Sequence, residues 1–236
     1  MLIKFIFNNR NSYDDMKCII KGQVAYPYVQ EEYEFVEVYG RKSGSLTKKL
    51  NNYKDLTMKL NMRLVDMTDI ETRLEMLYEW FTEIQDNRLY FEHNPSVCYI
   101  VKQAKVTEYT PKAGVQIDFT IDFTFEPFLR NNFNEIQTVK NGGLIMNNGF
   151  VESNPLITFY SATKQNIQLT IKDDTFVIYN AFGNVTIDSE LYIAMSDSGT
   201  LRTTGEFPTL KVGKNEISWT GTVTEIKIDK RSLLRG

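Results

Sequence analysis

The stretch Phe207-Pro208-Thr209-Leu210-Lys211-Val212-Gly213-Lys214-Asn215-Glu216-Ile217 decides how the chain is read. It describes a strand end, a tight turn and the start of a second strand. Pro208 lacks a backbone donor and belongs at a strand end or a sheet edge. Gly213 admits the positive φ of a tight turn, and the Asn215 side chain can bond its own backbone there. Around this turn, from residue 150 to the end, short apolar runs alternate with turn residues about every ten positions, the pattern of a β-sandwich. Strands are predicted over 156–160, 167–171, 175–179, 184–187, 190–195, 217–219 and 223–228, with no helical periodicity among them.

Moving toward the N-terminus, residues 128–154 are crowded with Asn131, Asn132, Asn134, Asn141, Gly142, Gly143, Asn147, Asn148 and Gly149, which is turn and linker chemistry. A boundary is expected there, between a domain at 1–140 and a domain at 141–236. Ahead of it lies the clearest strand, Val115, Ile117, Phe119, Ile121, Phe123 and Phe125 alternating with Gln116, Asp118, Thr120, Asp122 and Thr124. Leu56, Met58, Leu60, Met62 and Leu64 make a second half-buried strand. One helix is predicted over 69–81. Thr68 and Glu71 have the spacing of a capping box, and Ile70, Leu74, Leu77 and Phe81 form one apolar stripe. Residues 34–39 carry apolar groups on both faces, and a polar loop is expected from Gly40 to Tyr53. The fold class is therefore mainly β: an N-terminal α+β domain, an antiparallel sandwich with one helix, followed by a second sandwich.

Composition narrows the function. The chain has 236 residues, 42% hydrophobic and 24% charged, with a formal net charge of -3. That is globular, and it lacks the basic clustering of a nucleic-acid binder. No apolar run is long enough for a membrane span. There are two cysteines, Cys18 and Cys98, and one histidine, His93. Free buried thiols are expected in a cytosolic chain, and the spacing suits no zinc site. Nothing assembles a nucleophile, a base and an oxyanion donor, so no enzyme and no cofactor is expected.

The motif Phe-Pro-x-Leu-x-x-Gly-x-Asn at 207–215, with Ile187-Asp188-Ser189-Glu190 upstream, resembles the C-terminal domain of siphophage distal tail proteins, from phages that infect Gram-positive bacteria. The N-terminal half is similar to that family too, through Gly40-Arg41, Ser43-Gly44-Ser45-Leu46, the strand at 56–64, the helix, and Phe123-Thr124-Phe125-Glu126-Pro127-Phe128. Lys42 departs from it, because an acidic residue is more usual there. The resemblance implies a galectin-like C-terminal sandwich and a homohexameric ring at the distal end of the tail tube, with DNA passing through its channel. It implies the tail tube protein, a tail-tip protein and receptor-binding or baseplate proteins as partners, and no membrane. It also implies a place in the virion, after assembly in the bacterial cytoplasm.

Site residues follow from this frame. Arg41, Lys42, Lys48 and Lys49 are the local basic cluster, expected at a subunit interface. Asp118 and Asp122 share the polar face of the long strand and are candidates for an acidic channel lining. Asp188 and Glu190 share a face on a continuous strand and could hold a cation, although a turn role is preferred. The alternative function is carbohydrate binding on the sandwich. Trp219 and Tyr192 are its candidate stacking groups and Tyr160 and Tyr179 weaker ones; Trp219 shares parity with Ile217 and is expected in the core.

Overall fold

The computed structural model describes residues 2–66, 68–112 and 116–235; the side chains of 48–52 and 108–112 lie outside the description. Val115 of the long alternating run is also outside it. The chain divides into two compact units, residues 1–132 with 235–236, and residues 133–234. The division falls before the expected one. Residues 136–139 of the presumed linker form a strand that pairs within the second unit.

Unit 1 contains β1 (Phe5–Phe7), β2 (Arg10–Asn11), β3 (Cys18–Ile20), β4 (Glu31–Val36), β5 (Ser45–Tyr53), β6 (Leu56–Leu64), α1 (Ile70–Thr82), β7 (Arg88–Phe91), β8 (Asn94–Lys112), β9 (Gln116–Phe125) and β10 (Leu129–Asn131). Strands pair antiparallel in the order β2-β1-β7-β8-β9-β6-β3, with β10 on β8. The first part of β8 pairs with β7 and β10, and its later part, from Val101, pairs with β9. One long strand therefore belongs to two layers.

The apolar alternation of β6 and β9 turns Met58, Leu60, Met62, Ile117, Ile121, Phe123 and Phe125 inward, all essentially inaccessible to water. Phe5 and Phe7 of β1 meet them, with the Phe7 and Phe123 rings 5.5 Å apart and edge-on. Helix α1 closes this core through Leu77, Trp80 and Phe81. Trp80 stacks on Phe5 at 5.5 Å, and its indole N–H donates to the Phe7 carbonyl at 2.7 Å.

The predicted helix is present, but its capping box does not form. Asp66 takes the Thr68 hydroxyl at 2.6 Å, and Asp69 adopts a left-handed φ of 49°, so the helix starts at Ile70 without a side-chain cap. The other end is served from the turn after β1. The Asn8 amide donates to the carbonyls of Trp80 and Glu83, and its oxygen accepts from the backbone of Gln85 and Asp86. One side chain thus meets two of the carbonyls at the helix C-terminus, and the Glu83 N–H meets that of Glu79.

Unit 2 contains β11 (Ile136–Val139), β12 (Gly143–Asn147), β13 (Leu156–Ile171), β14 (Asp174–Asp188), β15 (Ile193–Ser196), β16 (Gly199–Thr200), β17 (Thr203–Thr204), β18 (Gly213–Trp219), β19 (Ile226–Asp229) and β20 (Leu233–Leu234). Four of the predicted strands prove to be halves of two long ones. The β13–β14 hairpin shifts register between Ser161 and Ile167. On one side of the shift the order is β11-β19-β13-β14-β15-β16, and on the other β12-β18-β13-β14-β17. A bulge bends a strand and lets it leave one layer for another. Between the layers lie Ile157, Ile167, Leu169, Phe176, Ile178, Ile187, Leu210, Ile217, Trp219 and Ile228.

The 207–217 turn closes this core. Asn215 is fully buried. It accepts from the Lys211 backbone at 3.0 Å and donates to the carbonyls of Lys211 and Gly213 at 2.8 and 3.0 Å. Gly213 has φ 88°, as the turn requires. Leu210 is anchored through a bridge to Ser153.

Candidate functional site

The segment from Glu31 to Tyr53 is a hairpin, and the polar loop expected from Gly40 to Tyr53 is largely strand β5. Strand β4 already carried apolar residues on both faces, and such a strand pairs readily when a Gly-rich turn follows it. The β4–β5 hairpin is a sheet of its own. Phe35 lies opposite Leu46, and Tyr33 opposite Lys48. Residues two apart share a face, so Tyr33, Phe35 and Leu46 form one apolar strip. They are 53%, 61% and 69% exposed. The Phe35 ring lies against Gly44, where any side chain would collide with it. At the hairpin tip Tyr39, Arg41 and Lys42 are exposed, and the Arg41 N–H bonds the Val38 carbonyl at 3.0 Å. Lys48 and Lys49 lie on β5, their side chains outside the described residues. At the hairpin base the Tyr53 ring packs edge-on against Phe128 at 4.7 Å.

Asp118 and Asp122 do lie on the polar face of β9, but they do not make it acidic. β6 runs antiparallel beside β9 with Arg63 opposite Asp118 and Lys59 opposite Asp122. Arg63 Nε lies 2.7 Å from the Asp118 carboxylate, and Lys21 adds a second contact at 2.7 Å. Lys59 approaches Asp122 at 3.6 Å, and Lys105 of β8 is its partner on the other side. Alternation on β9 showed the carboxylates in sequence; only strand pairing shows the cations that offset them.

Asp188 and Glu190 are also bound by protein. Arg231 reaches Asp188 through both terminal nitrogens, at 2.7 and 3.0 Å, and Glu190 at 3.3 Å. Asp188 further accepts from the backbones of Glu190 and Leu191, which fixes the turn after β14. The bond to Arg231 foremost holds the Asp188 carboxyl below its usual range. Glu190 lies in that turn, not in a strand. Among the described residues no cluster of His, Cys, Asp and Glu could hold a metal.

Trp219 is only 5% exposed, and its N–H donates to the Val223 carbonyl at 2.9 Å. Its ring serves the core and is closed to a glycan. Tyr192 is 69% exposed in the turn that Asp188 fixes, edge-on to Phe207 at 5.6 Å. Cys18 and Cys98 are buried thiols, pushed by burial up to about 12 and about 11. The His93 ring sits 6.2 Å from that of Tyr26, at a turn between β7 and β8. Among the described residues no helix is long and apolar enough to cross a membrane.

Residues 15–125 match the phage tail protein RIFT-related domain. The crystal structure of the Dit protein (gp 19.1) of phage SPP1, described as a paradigm of the hub adsorption apparatus in phages infecting Gram-positive bacteria, shares the fold. Its TM-score is 0.68 at 14% identity, over 97% of this chain and 99% of that one. A chain of the phage p2 baseplate, in its activated conformation with Sr, matches with a TM-score of 0.43 at 9% identity, over 96% of this chain and 97% of that one. No curated protein sequence matches. What these matches define is a mainly β fold of the kind found in phage tail proteins. Residues 15–125 thus carry a phage tail protein domain, and the whole chain shares the fold of that hub protein.

Proposed function

We propose that this protein forms a closed homohexameric ring at the distal end of the tail tube, through its N-terminal unit. The exposed apolar strip of the β4–β5 hairpin carries this reading. Soluble proteins seldom leave a contiguous apolar strip on an otherwise unpaired sheet, and such strips mark interaction surfaces. A hairpin that forms a sheet of its own suits a head-to-tail contact, which closes into a ring when the rotation allows. The likeness to distal tail proteins implies six copies, joining the tube to tip and baseplate proteins and assembling in the host cytoplasm.

Arg41 and Lys42 at the tip, with Lys48 and Lys49 along β5, supply charge to the same contact. Arg41 is suited to grip a carboxylate of the next copy with its planar fork. The Lys59, Arg63, Asp118 and Asp122 face is the proposed channel-facing surface. Its alternating charges offer DNA neither a strong attraction nor a strong repulsion. Unit 2, proposed as galectin-like, is the outward platform.

Sedimentation velocity tests the ring. The wild type is expected at the mass of six 27.4-kDa chains. Phe35→Ser with Leu46→Ser is expected to be monomeric, with melting unchanged to within about 0.5 kcal/mol, because both side chains are exposed. Arg41→Ala is expected to weaken the ring without dissolving it. A wild type that stays monomeric at its solubility limit, or a double variant that assembles normally, overturns the proposal.

A further inference from the structure

Unit 2 carries a groove of about 390 Å³ on the outer face of β13, β14 and β19. Its floor is set by register. Thr158 stands between Thr186 of β14 and Lys227 of β19, and Tyr160 stands opposite Asn184. Facing side chains on paired strands lie about 5 Å apart, so these groups converge on one small area. Thr224 and Glu225 of the segment before β19 form a wall.

Around the groove some polar side chains are held within the protein: Gln165 bonds Ser161 and Thr222, Asp188 bonds Arg231, and Asn184, at the groove's edge, bonds Asp197. Thr158, Thr186, Thr224, Glu225 and Lys227 make no side-chain hydrogen bond or ion pair among the described residues. Beside them the Tyr160 ring is 60% exposed on a regular strand.

We infer that this groove binds a neutral saccharide. An exposed aromatic face beside unspent hydroxyl, ammonium and carboxylate groups matches a pyranose, which has an apolar C–H face and a rim of hydroxyls that both donate and accept. The volume lies at the small end of ligand sites, roughly 300–1,000 Å³, which suits one or two sugar rings. Charge selects against other ligands. Lys227 is balanced by Glu225, so the groove lacks the net charge that a phosphate or a cation requires. The site lies on unit 2 alone and does not depend on ring assembly, so sedimentation and ligand binding fail or succeed separately.

Saturation-transfer NMR on the full chain tests this, with methyl β-glucoside, methyl β-galactoside, N-acetylglucosamine, cellobiose and lactose as probes. At least one probe is expected to receive saturation on the C–H protons of one ring face. Tyr160→Ala is expected to weaken that binding about tenfold, the worth of one aromatic contact, and Tyr160→Phe to retain it. Should Tyr160→Ala lose its fold by circular dichroism, Thr158→Val and Lys227→Ala take its place with the same expectation of weakened binding. Silence from all five probes with the wild type overturns the inference. So does a response that survives removal of the ring or of the polar groups, and so does a groove that answers only to inorganic phosphate.

Discussion

Both units make two layers from one long antiparallel hairpin, but they spend their apolar residues differently. In unit 1, β8 crosses between layers and β9 pairs with its later part, while the separate β4–β5 hairpin leaves Tyr33, Phe35 and Leu46 in solvent. In unit 2, β13 and β14 cross together at a bulge and most of their large apolar residues turn inward, with Tyr160 and Phe182 left exposed. Its flanking strands β12 and β15 also leave Leu144, Met146, Ile193 and Met195 exposed. A contiguous apolar strip is costly on a free monomer and is favourable where a neighbour covers it. The proposed function gives assembly to the first unit and presentation of a surface to the second.

The strongest way to break this contrast is to damage one unit and read the other. Trp219→Ala removes the largest side chain from the second core and its bond to Val223. It is expected to cost about 3–5 kcal/mol, measured by urea unfolding with hydrogen exchange reporting each unit. The exchange loss should be confined to 133–234 and the oligomer mass should not change. Loss of the ring in a folded Trp219→Ala protein would show that the units do not divide the work.

Two asparagines sharpen the comparison at smaller amplitude. Asn215→Ala strands the buried backbone groups of Lys211 and Gly213, at a cost of about 1–3 kcal/mol. Asn8→Ala also removes several bonds, but water reaches that helix end, so about 1 kcal/mol is expected. Equal costs would mean that burial is not what separates the two sites.

The smallest effect is one of pH. Asp188 has a folded pKa below its ordinary 3.8, chiefly through the bond to Arg231. Its contribution is therefore fully present above that value and is lost as pH falls through the depressed one. The urea midpoint of unit 2 should fall between about pH 5 and pH 2, and Asp188→Asn should flatten that fall. An unchanged acid limb in Asp188→Asn would remove the ion pair from the account.

Much of this was legible in the chain. Period-two alternation gave β6 and β9, the spacing of Leu74, Leu77 and Phe81 gave the helix, and Pro208, Gly213 and Asn215 gave the turn that closes unit 2. Those signals are local, and local residues enforce them. The parity of Trp219 with Ile217 likewise foretold its burial.

What the sequence could not settle depends on which strand lies beside which. The cations facing Asp118 and Asp122 sit on β6, Arg231 meets Asp188 from more than forty residues away, and Thr68 loses its capping role to Asp66. The hairpin hid because the polar sequence of β5 reads like a loop until its partner strand is known. The Tyr160 groove exists only because β13, β14 and β19 are in one register. Alternation along a chain determines which side of a strand is apolar; only the tertiary structure decides what each polar side faces, because charge and hydrogen bonding are settled by neighbours in space.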